Sequence, residues 1–196
     1  MLAIRAAIIA LSTIPLLAAC GSDSIAALPP GTSSGTPSGP TLPVPATLWS
    51  PPAGSTPLQG SYLYVDMDTG FTPGVTYPHT IVASPLNFSV SVVRGTLTVS
   101  ASDSTAPLVV RGVFTTMLGH DQLDDGYYDE LRGAADANPL RGSLDVTLNT
   151  RACTSVTGWF VVDHSFYFNG RLTALDLRFE QRCPGFTAPM HGKLHW

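Results

Sequence analysis

The chain has 196 residues, and its 10 Lys and Arg against 14 Asp and Glu give a formal net charge of −4 at pH 7. So few basic residues argue against a nucleic-acid partner. The sequence also lacks the H-E-x-x-H, phosphate-loop and C-x-x-C patterns, so none of these motifs nominates an activity.

Residues 1–19 have the pattern of a secretory signal peptide. One early charge, Arg5, is followed by an apolar stretch over residues 6–17 that is too short to cross a bilayer as a helix. The stretch ends in Leu17-Ala18-Ala19-Cys20, which resembles the lipobox of bacterial lipoproteins. The resemblance implies cleavage before Cys20 and attachment of acyl chains, palmitate included, to its sulfur and its new amino group. It therefore implies a lipid-anchored protein of the bacterial cell envelope.

Residues 20–45 are predicted to be the lipidated cysteine and a disordered linker. Of the 25 residues from Gly21 to Pro45, 18 are Gly, Pro, Ser or Thr, and only Asp23 is charged. This composition buries too little apolar surface to offset the entropy of ordering. The prolines favour an extended chain of ~3.1 Å per residue, which reaches several tens of Å. Gly21 stands where lipoproteins of the inner membrane commonly carry Asp, so the resemblance favours the outer membrane.

Residues 46–196 are predicted to form one all-β domain. Apolar and polar residues alternate with period two in short segments bounded by Gly, Pro, Asn or Asp. Residues 86–93 and 96–101 flank a turn at Arg94-Gly95 that pairs Val90 with Val99. Further strands are expected at residues 61–67, 108–115, 142–149 and 190–196. An antiparallel β-sandwich of about seven to eight short strands fits this pattern, and a small β-barrel is the alternative.

The strongest turn signal is Asn169-Gly170, because both residues of such a turn adopt positive φ. A two-residue turn pairs Phe168 with Arg171 and, further along, His164 with Leu175. One apolar face is then expected along the whole hairpin, made of Phe160, Val162, Phe166 and Phe168 on the first strand and of Leu175, Leu177 and Phe179 on the second.

Two cysteines lie at the open end of this hairpin. With Cys20 assigned to lipid, Cys153 and Cys183 are the only pair left, so one disulfide is expected, with two free thiols as the alternative. Closing a loop of this length stabilises by roughly 3–4 kcal/mol through lost chain entropy. An oxidising envelope compartment agrees with such a bond.

The negative charge is concentrated in residues 119–139, which are predicted to be a long connection between two strands. Between Asp121 and Asp136, six acidic residues accompany one arginine. Oxygen ligands in a glycine-containing loop suit Ca²⁺, but the spacing is not that of an EF-hand, so a solvated acidic loop is the alternative. Residues 66–70 also resemble the opening of a calcium loop, without its downstream Glu. The candidate calcium ligands are Asp121, Asp124, Asp125, Asp129 and Glu130 in the first segment, and Asp66 and Asp68 in the second.

Aromatic residues supply the candidate contact surface. Trp159 and Tyr167 fall on the outer face of the predicted hairpin, and Tyr127 and Tyr128 lie in the acidic segment. These residues favour a non-catalytic binding or scaffolding role, with an envelope protein or a glycan as the partner. Two alternatives stay open: a calcium-stabilised module that binds carbohydrate or protein, and a hydrolase whose site is built from loops.

The C-terminal part of the hairpin carries a second resemblance. Gly158-Trp159-Phe160-Val161-Val162, the turn at Gly170, Phe179-Glu180-Gln181-Arg182-Cys183 and Gly192 resemble a C-terminal block of uncharacterised secreted bacterial proteins. The resemblance implies no activity. From their positions, Phe179 is expected in the core, and the Gln181 amide is expected to satisfy backbone groups near the strand end.

Overall fold

The computed structural model describes residues 42–68 and 72–196, and the predicted all-β class is confirmed. These residues contain one 3₁₀ turn, Ala134–Asp136, and no α-helix, so none of them forms a helix able to cross a membrane. The predicted signal peptide, Cys20 and most of the predicted linker lie outside the described residues. The strands are β1 (Tyr62–Asp66), β2 (His79–Val82), β3 (Phe88–Val93), β4 (Thr96–Asp103), β5 (Leu108–Thr115), β6 (Gly126–Arg132), β7 (Ser143–Leu148), β8 (Thr157–Phe168), β9 (Arg171–Arg182) and β10 (Met190–His195).

The ten strands form one continuous sheet in the order β2-β1-β10-β9-β8-β6-β7-β5-β4-β3. Neighbours are antiparallel except β6 and β7, which run parallel and pair only at Arg132 and Ser143. β2 and β3 follow each other in the chain but lie at opposite edges of the sheet, joined by residues 83–87. Because such a link spans at most roughly 20 Å, the sheet has to curl. The sequence favoured two packed sheets, whereas the structure has one curled sheet, which is closer to the barrel alternative.

One hydrophobic core fills the inside of this curl. Alternate residues of β4, namely Leu97, Val99 and Ala101, point into it. The Phe114 ring of β5 packs edge-on against the Phe160 ring of β8, with 5.6 Å between ring centroids. A void beside Phe114 measures only about 10 Å³, so side chains fill this part of the interior.

The β8–β9 hairpin keeps the predicted register at both ends and departs from it in the middle. Phe160 pairs with Phe179, Val162 with Leu177 and Phe168 with Arg171, as predicted. A bulge at Asp163 adds one residue to β8, and a second bulge at Thr173 adds one to β9, so His164 pairs with Asp176 and not with Leu175. The prediction that Phe166 and Phe168 share the core face is therefore wrong, and both side chains are exposed.

The predicted disulfide and the role of the Gln181 amide are both confirmed. Cys153 and Cys183 are bonded, with 5.3 Å between their Cα atoms. Gln181 is fully buried, and its side chain accepts a hydrogen bond from Val146 N at 2.7 Å and donates one to Val146 O at 2.8 Å. The last part of the hairpin is thus joined to β7 through this amide.

The acidic segment is not simply a loop, because it contains β6 at its centre. β6 pairs with β8 at Gly126–Tyr128 and again at Leu131–Arg132, with a bulge between the two stretches. Glu130 at this bulge has a positive φ of 53°. The bulge interrupts the alternation of side chains, which is why the period-two pattern did not reveal a strand here.

The segment before β1 lies across the outer face of the sheet; we call residues 46–60 the strap. The Trp49 ring stacks on the His191 ring of β10, with 4.7 Å between centroids and an interplanar angle of 7°. Arg178 of β9 donates hydrogen bonds to Trp49 O at 2.7 Å and to Ser50 Oγ at 2.8 Å. The strap therefore covers part of the sheet face opposite the core.

Candidate functional site

The acidic candidates lie on β6 and on the loop before it, and four of the five form hydrogen bonds or ion pairs with other side chains. Asp124 bonds His120 Nδ1 at 2.9 Å, and Asp125 accepts a hydrogen bond from Ser165 Oγ at 2.7 Å. Arg141 lies between Asp129, at 2.7 Å, and Glu130, at 3.1 Å. Asp121 is exposed. Within residues 42–68 and 72–196, no three His, Cys, Asp or Glu side chains converge as metal ligands would.

The other candidate pair lies at the end of β1. Asp66 is opposite His191 of β10, and Asp68 accepts a hydrogen bond from Thr187 Oγ1 at 3.1 Å. Residues 69–71, which continue this turn, are outside the described part of the chain. Asp66 is thus held in the strand pairing with β10, whereas the Asp68 side chain is bonded to Thr187.

The histidine side chains also have carboxylate partners. Each of the five histidines has a nitrogen within 4.0 Å of a carboxylate oxygen. The His191–Glu180 and His195–Asp176 pairs link β10 to β9 at 3.0 and 2.8 Å. These pairs join neighbouring strands and loops, which is a structural role.

The four aromatic candidates divide into buried and half-buried residues. The Tyr128 ring is 2% exposed, stacks on Phe160 at 4.3 Å, and its hydroxyl donates to Asp124 O. Trp159 is 9% exposed and packs beside Tyr127 at 6.1 Å. The Tyr167 hydroxyl accepts a hydrogen bond from Leu123 N at 2.9 Å. Only Tyr127 and Tyr167 retain appreciable exposure, so the structure does not bring the four together as one exposed patch.

Burial also changes the acidity of these phenols. Desolvation is the largest cause of the raised pKa of Tyr128, and the Asp124 charge adds to it. The pKa of Tyr167 is raised for the same first reason. Both hydroxyls therefore stay protonated over the physiological range, as hydrogen-bonding groups.

A groove lies where the acidic segment meets the start of β7. Its volume is about 180 Å³, and the Asp129–Arg141 ion pair forms its polar part. Leu140 is largely exposed at this place. The lining residues are Leu42, Met117, Tyr127, Tyr128, Asp129, Leu140 and Arg141. Three of them were sequence candidates, and the lining combines apolar side chains with one ion pair.

Sequence reasoning missed the other groove residues. Leu42 was placed in the linker, and Met117 and Leu140 fall outside every predicted strand. One sequence feature could have identified Arg141: it closely follows the acidic segment and is therefore a basic partner for the carboxylates of that segment. Its pairing with Asp129 and Glu130 depends on the β6 bulge, which the sequence pattern did not reveal.

Comparison of the chain with protein-family models, with curated proteins and with solved structures finds no match.

Proposed function

We propose that this chain is a bacterial lipoprotein, anchored in the outer membrane through Cys20, whose β-domain binds an envelope partner without catalysing a reaction. The apolar stretch over residues 6–17 and the Leu17-Ala18-Ala19-Cys20 sequence support the anchor. The Cys153–Cys183 disulfide supports an oxidising compartment outside the cytoplasm. Several acyl chains on one residue anchor a protein stably, whereas one chain would not.

The linker gives the domain reach from the membrane. Between Cys20 and Leu42 the sequence is rich in Pro, Gly, Ser and Thr. A chain of this composition extends several tens of Å from its anchor, at ~3.1 Å per residue where proline dominates. A partner embedded in the same membrane or lying above it is within this range.

The groove beside the acidic segment carries the binding proposal. Leu42, Met117 and Leu140 offer apolar contact, while Asp129 and Arg141 offer an acceptor and a donor at the polar part. This combination suits a segment of an envelope protein that presents one apolar side chain next to a polar group. A groove of about 180 Å³ has room for one or two side chains and not for a whole domain.

Replacing Cys20 tests the anchor. The Cys20→Ala variant is expected to leave the membrane fraction and to take up no labelled palmitate, whereas Ser24→Ala, in the same segment, behaves as the parent. If the parent chain took up no labelled palmitate and still stayed in the membrane fraction, the proposed anchor would be wrong.

Photo-crosslinking in cells tests the groove. A photoreactive amino acid at Leu140 is expected to give one discrete adduct, and the same amino acid at Leu58, which is 99% exposed elsewhere, is expected to give none. The adduct should disappear when Arg141→Ala removes the polar part of the groove. Identical crosslinking from both positions would argue against a specific site.

A further inference from the structure

The tip of the β8–β9 hairpin, residues 165–172, projects beyond the rest of the sheet. Pairing of β6 with β8 stops at Val162, and pairing of β10 with β9 stops at Asp176. Leu175 of β9 still exchanges two backbone hydrogen bonds with Trp196, and beyond it β8 and β9 pair only with each other, over a length of roughly 13 Å. No third described strand pairs with this part of the hairpin.

The bulge at Asp163 decides which side chains the tip presents to solvent. Because it shifts the alternation by one residue, Ser165 and Tyr167 face inward and hold the loop at Leu123 through their hydroxyls. Phe166 and Phe168 consequently face outward and are 54% and 63% exposed. Bulges commonly re-aim side chains beside functional sites, and here the result is two adjacent solvent-facing phenyl rings on one face of a projecting tip.

The charge of the tip differs from that of the rest of the domain. Its sequence, Ser-Phe-Tyr-Phe-Asn-Gly-Arg-Leu, contains one charged residue, Arg171, in a chain that is acidic overall. Arg171 is exposed and takes part in no ion pair among the described residues. Aromatic rings beside a single unpaired cation are the chemistry of segments that settle at a lipid surface, with the rings at the acyl boundary and the cation at the phosphates.

We propose that the hairpin tip, through Phe166 and Phe168, inserts into the surface of the lipid bilayer, with Arg171 at the lipid phosphates. The inference rests on the proposed lipid anchor, which brings the domain to a bilayer and allows a shallow contact of two rings to form. The tether then sets the distance of the domain, and the tip sets its orientation. In this arrangement the groove beside Arg141 binds a different partner, the envelope-protein segment proposed above.

Tryptophan substitution at the tip tests this contact in the full lipidated chain. The chain is reconstituted in vesicles of phosphatidylethanolamine and phosphatidylglycerol, with and without bromine on the acyl chains. The added emission of Phe168→Trp over the parent is expected to be quenched by the brominated lipid. Phe186→Trp is the matched control, because it follows the far end of β9, roughly 36 Å away along the strand, and its emission is expected to be unaffected.

Three outcomes would overturn the inference: no quenching at either position, equal quenching at both, or an unquenched tip that crosslinks to a protein. An error in the proposed lipid anchor is detected separately, because Cys20 would then carry no acyl chains. In that case the mature chain, residues 20–196, is added to preformed vesicles of the same composition. Quenching of Phe168→Trp there, and an approximately tenfold weaker partition of Phe166→Ser/Phe168→Ser than of Phe186→Ser, would uphold the tip contact without the anchor.

Discussion

Gln181 supplies β7 with the hydrogen bonds that a neighbouring strand would otherwise provide. β6 pairs with β7 only at Arg132 and Ser143, so the backbone of Val146 lies beyond that pairing. The Gln181 amide both donates to and accepts from Val146 inside the core. Buried backbone groups need such partners, which explains a fully buried polar side chain in this position.

Removing this amide is expected to destabilise the domain strongly. Gln181→Leu leaves the Val146 N–H and C=O groups without this partner in an apolar setting, at a cost of about 2–4 kcal/mol in the free energy of unfolding. Urea unfolding followed by circular dichroism measures the loss. Arg182→Leu, the exposed neighbour on β9, serves as the control and should change stability by less than about 1 kcal/mol. Equal effects of the two substitutions would refute the role given to Gln181.

Asp103 gives the domain a pH dependence in the acid range. Hydrogen bonds from Thr105 Oγ1 and Thr105 N, both 2.7 Å, together with His79, lower the pKa of Asp103 from 3.8 to about 2. A carboxyl whose pKa is lowered by folding favours the folded state when it is ionised. Its contribution is therefore present above pH 3.8 and is lost as the pH falls towards about 2.

The Asp103→Asn variant should separate this contribution from the rest of the titration. Its melting temperature is expected to be below that of the parent at pH 6, and the gap is expected to shrink as the pH is lowered from 4 to 2. Thermal melts across this range measure the gap, with Asp121→Asn as an exposed control. A gap that stays constant down to pH 2 would contradict the assignment.

At the scale of elements, sequence reasoning succeeded where the signal is local. Asn169-Gly170 determined the pairing next to the turn, and the alternating residues determined the pairing of Phe160 with Phe179. The bulges between these points were not predictable, because Asp163 and Thr173 add one polar residue to each strand and leave the register at both ends unchanged. The exposed Phe166 and Phe168, on which the membrane inference depends, follow from this unpredicted shift.

The disulfide stabilises the hairpin by reducing the conformational entropy of the unfolded chain. Cys153 and Cys183 are 30 residues apart in sequence, and the loss of chain entropy on closing this loop corresponds to roughly 3–4 kcal/mol. Cys153→Ala/Cys183→Ala should therefore lower the melting temperature by about 10 °C. Reduction of the parent should have a similar effect, and a reductant should not affect the double variant. Unchanged melting of the double variant would mean that the bond adds no stability.

At the scale of the molecule, the sequence predicted the all-β class but not how the sheet curls around its core. Period two marks strands equally well in a sandwich, a barrel or a curled sheet, because each has one buried face. The deciding feature is the short link between β2 and β3, and β2 itself carried no recognised signal. The groove was beyond prediction for a related reason, since its walls come from segments distant in sequence, such as Leu42 and Leu140.

A single curled sheet around one core should unfold as one unit. The buried core includes residues from nine strands, and β3 packs against it with partly buried side chains. Leu97→Ala in β4 and Leu177→Ala in β9 remove fully buried side chains on strands far apart in the sheet order. Each is expected to lower the free energy of unfolding by about 2–5 kcal/mol, with one transition and an unchanged urea dependence.

Two spectroscopic probes, measured on the same samples, test whether the domain unfolds in a single transition. Tryptophan emission reports on Trp49 in the strap, Trp159 in β8 and Trp196 after β10, whereas far-ultraviolet circular dichroism reports on the whole sheet. The two curves should coincide in the parent and in both variants, and Leu86→Ala, which is 98% exposed in the parent, should leave them unchanged. If Leu97→Ala moved the circular dichroism curve and left the fluorescence curve in place, the β3–β4 side of the sheet would be an independent unit. Because residues 83–87 join β2 directly to β3, loosening either edge removes the constraint that keeps the sheet curled, so we expect both sides to be lost together.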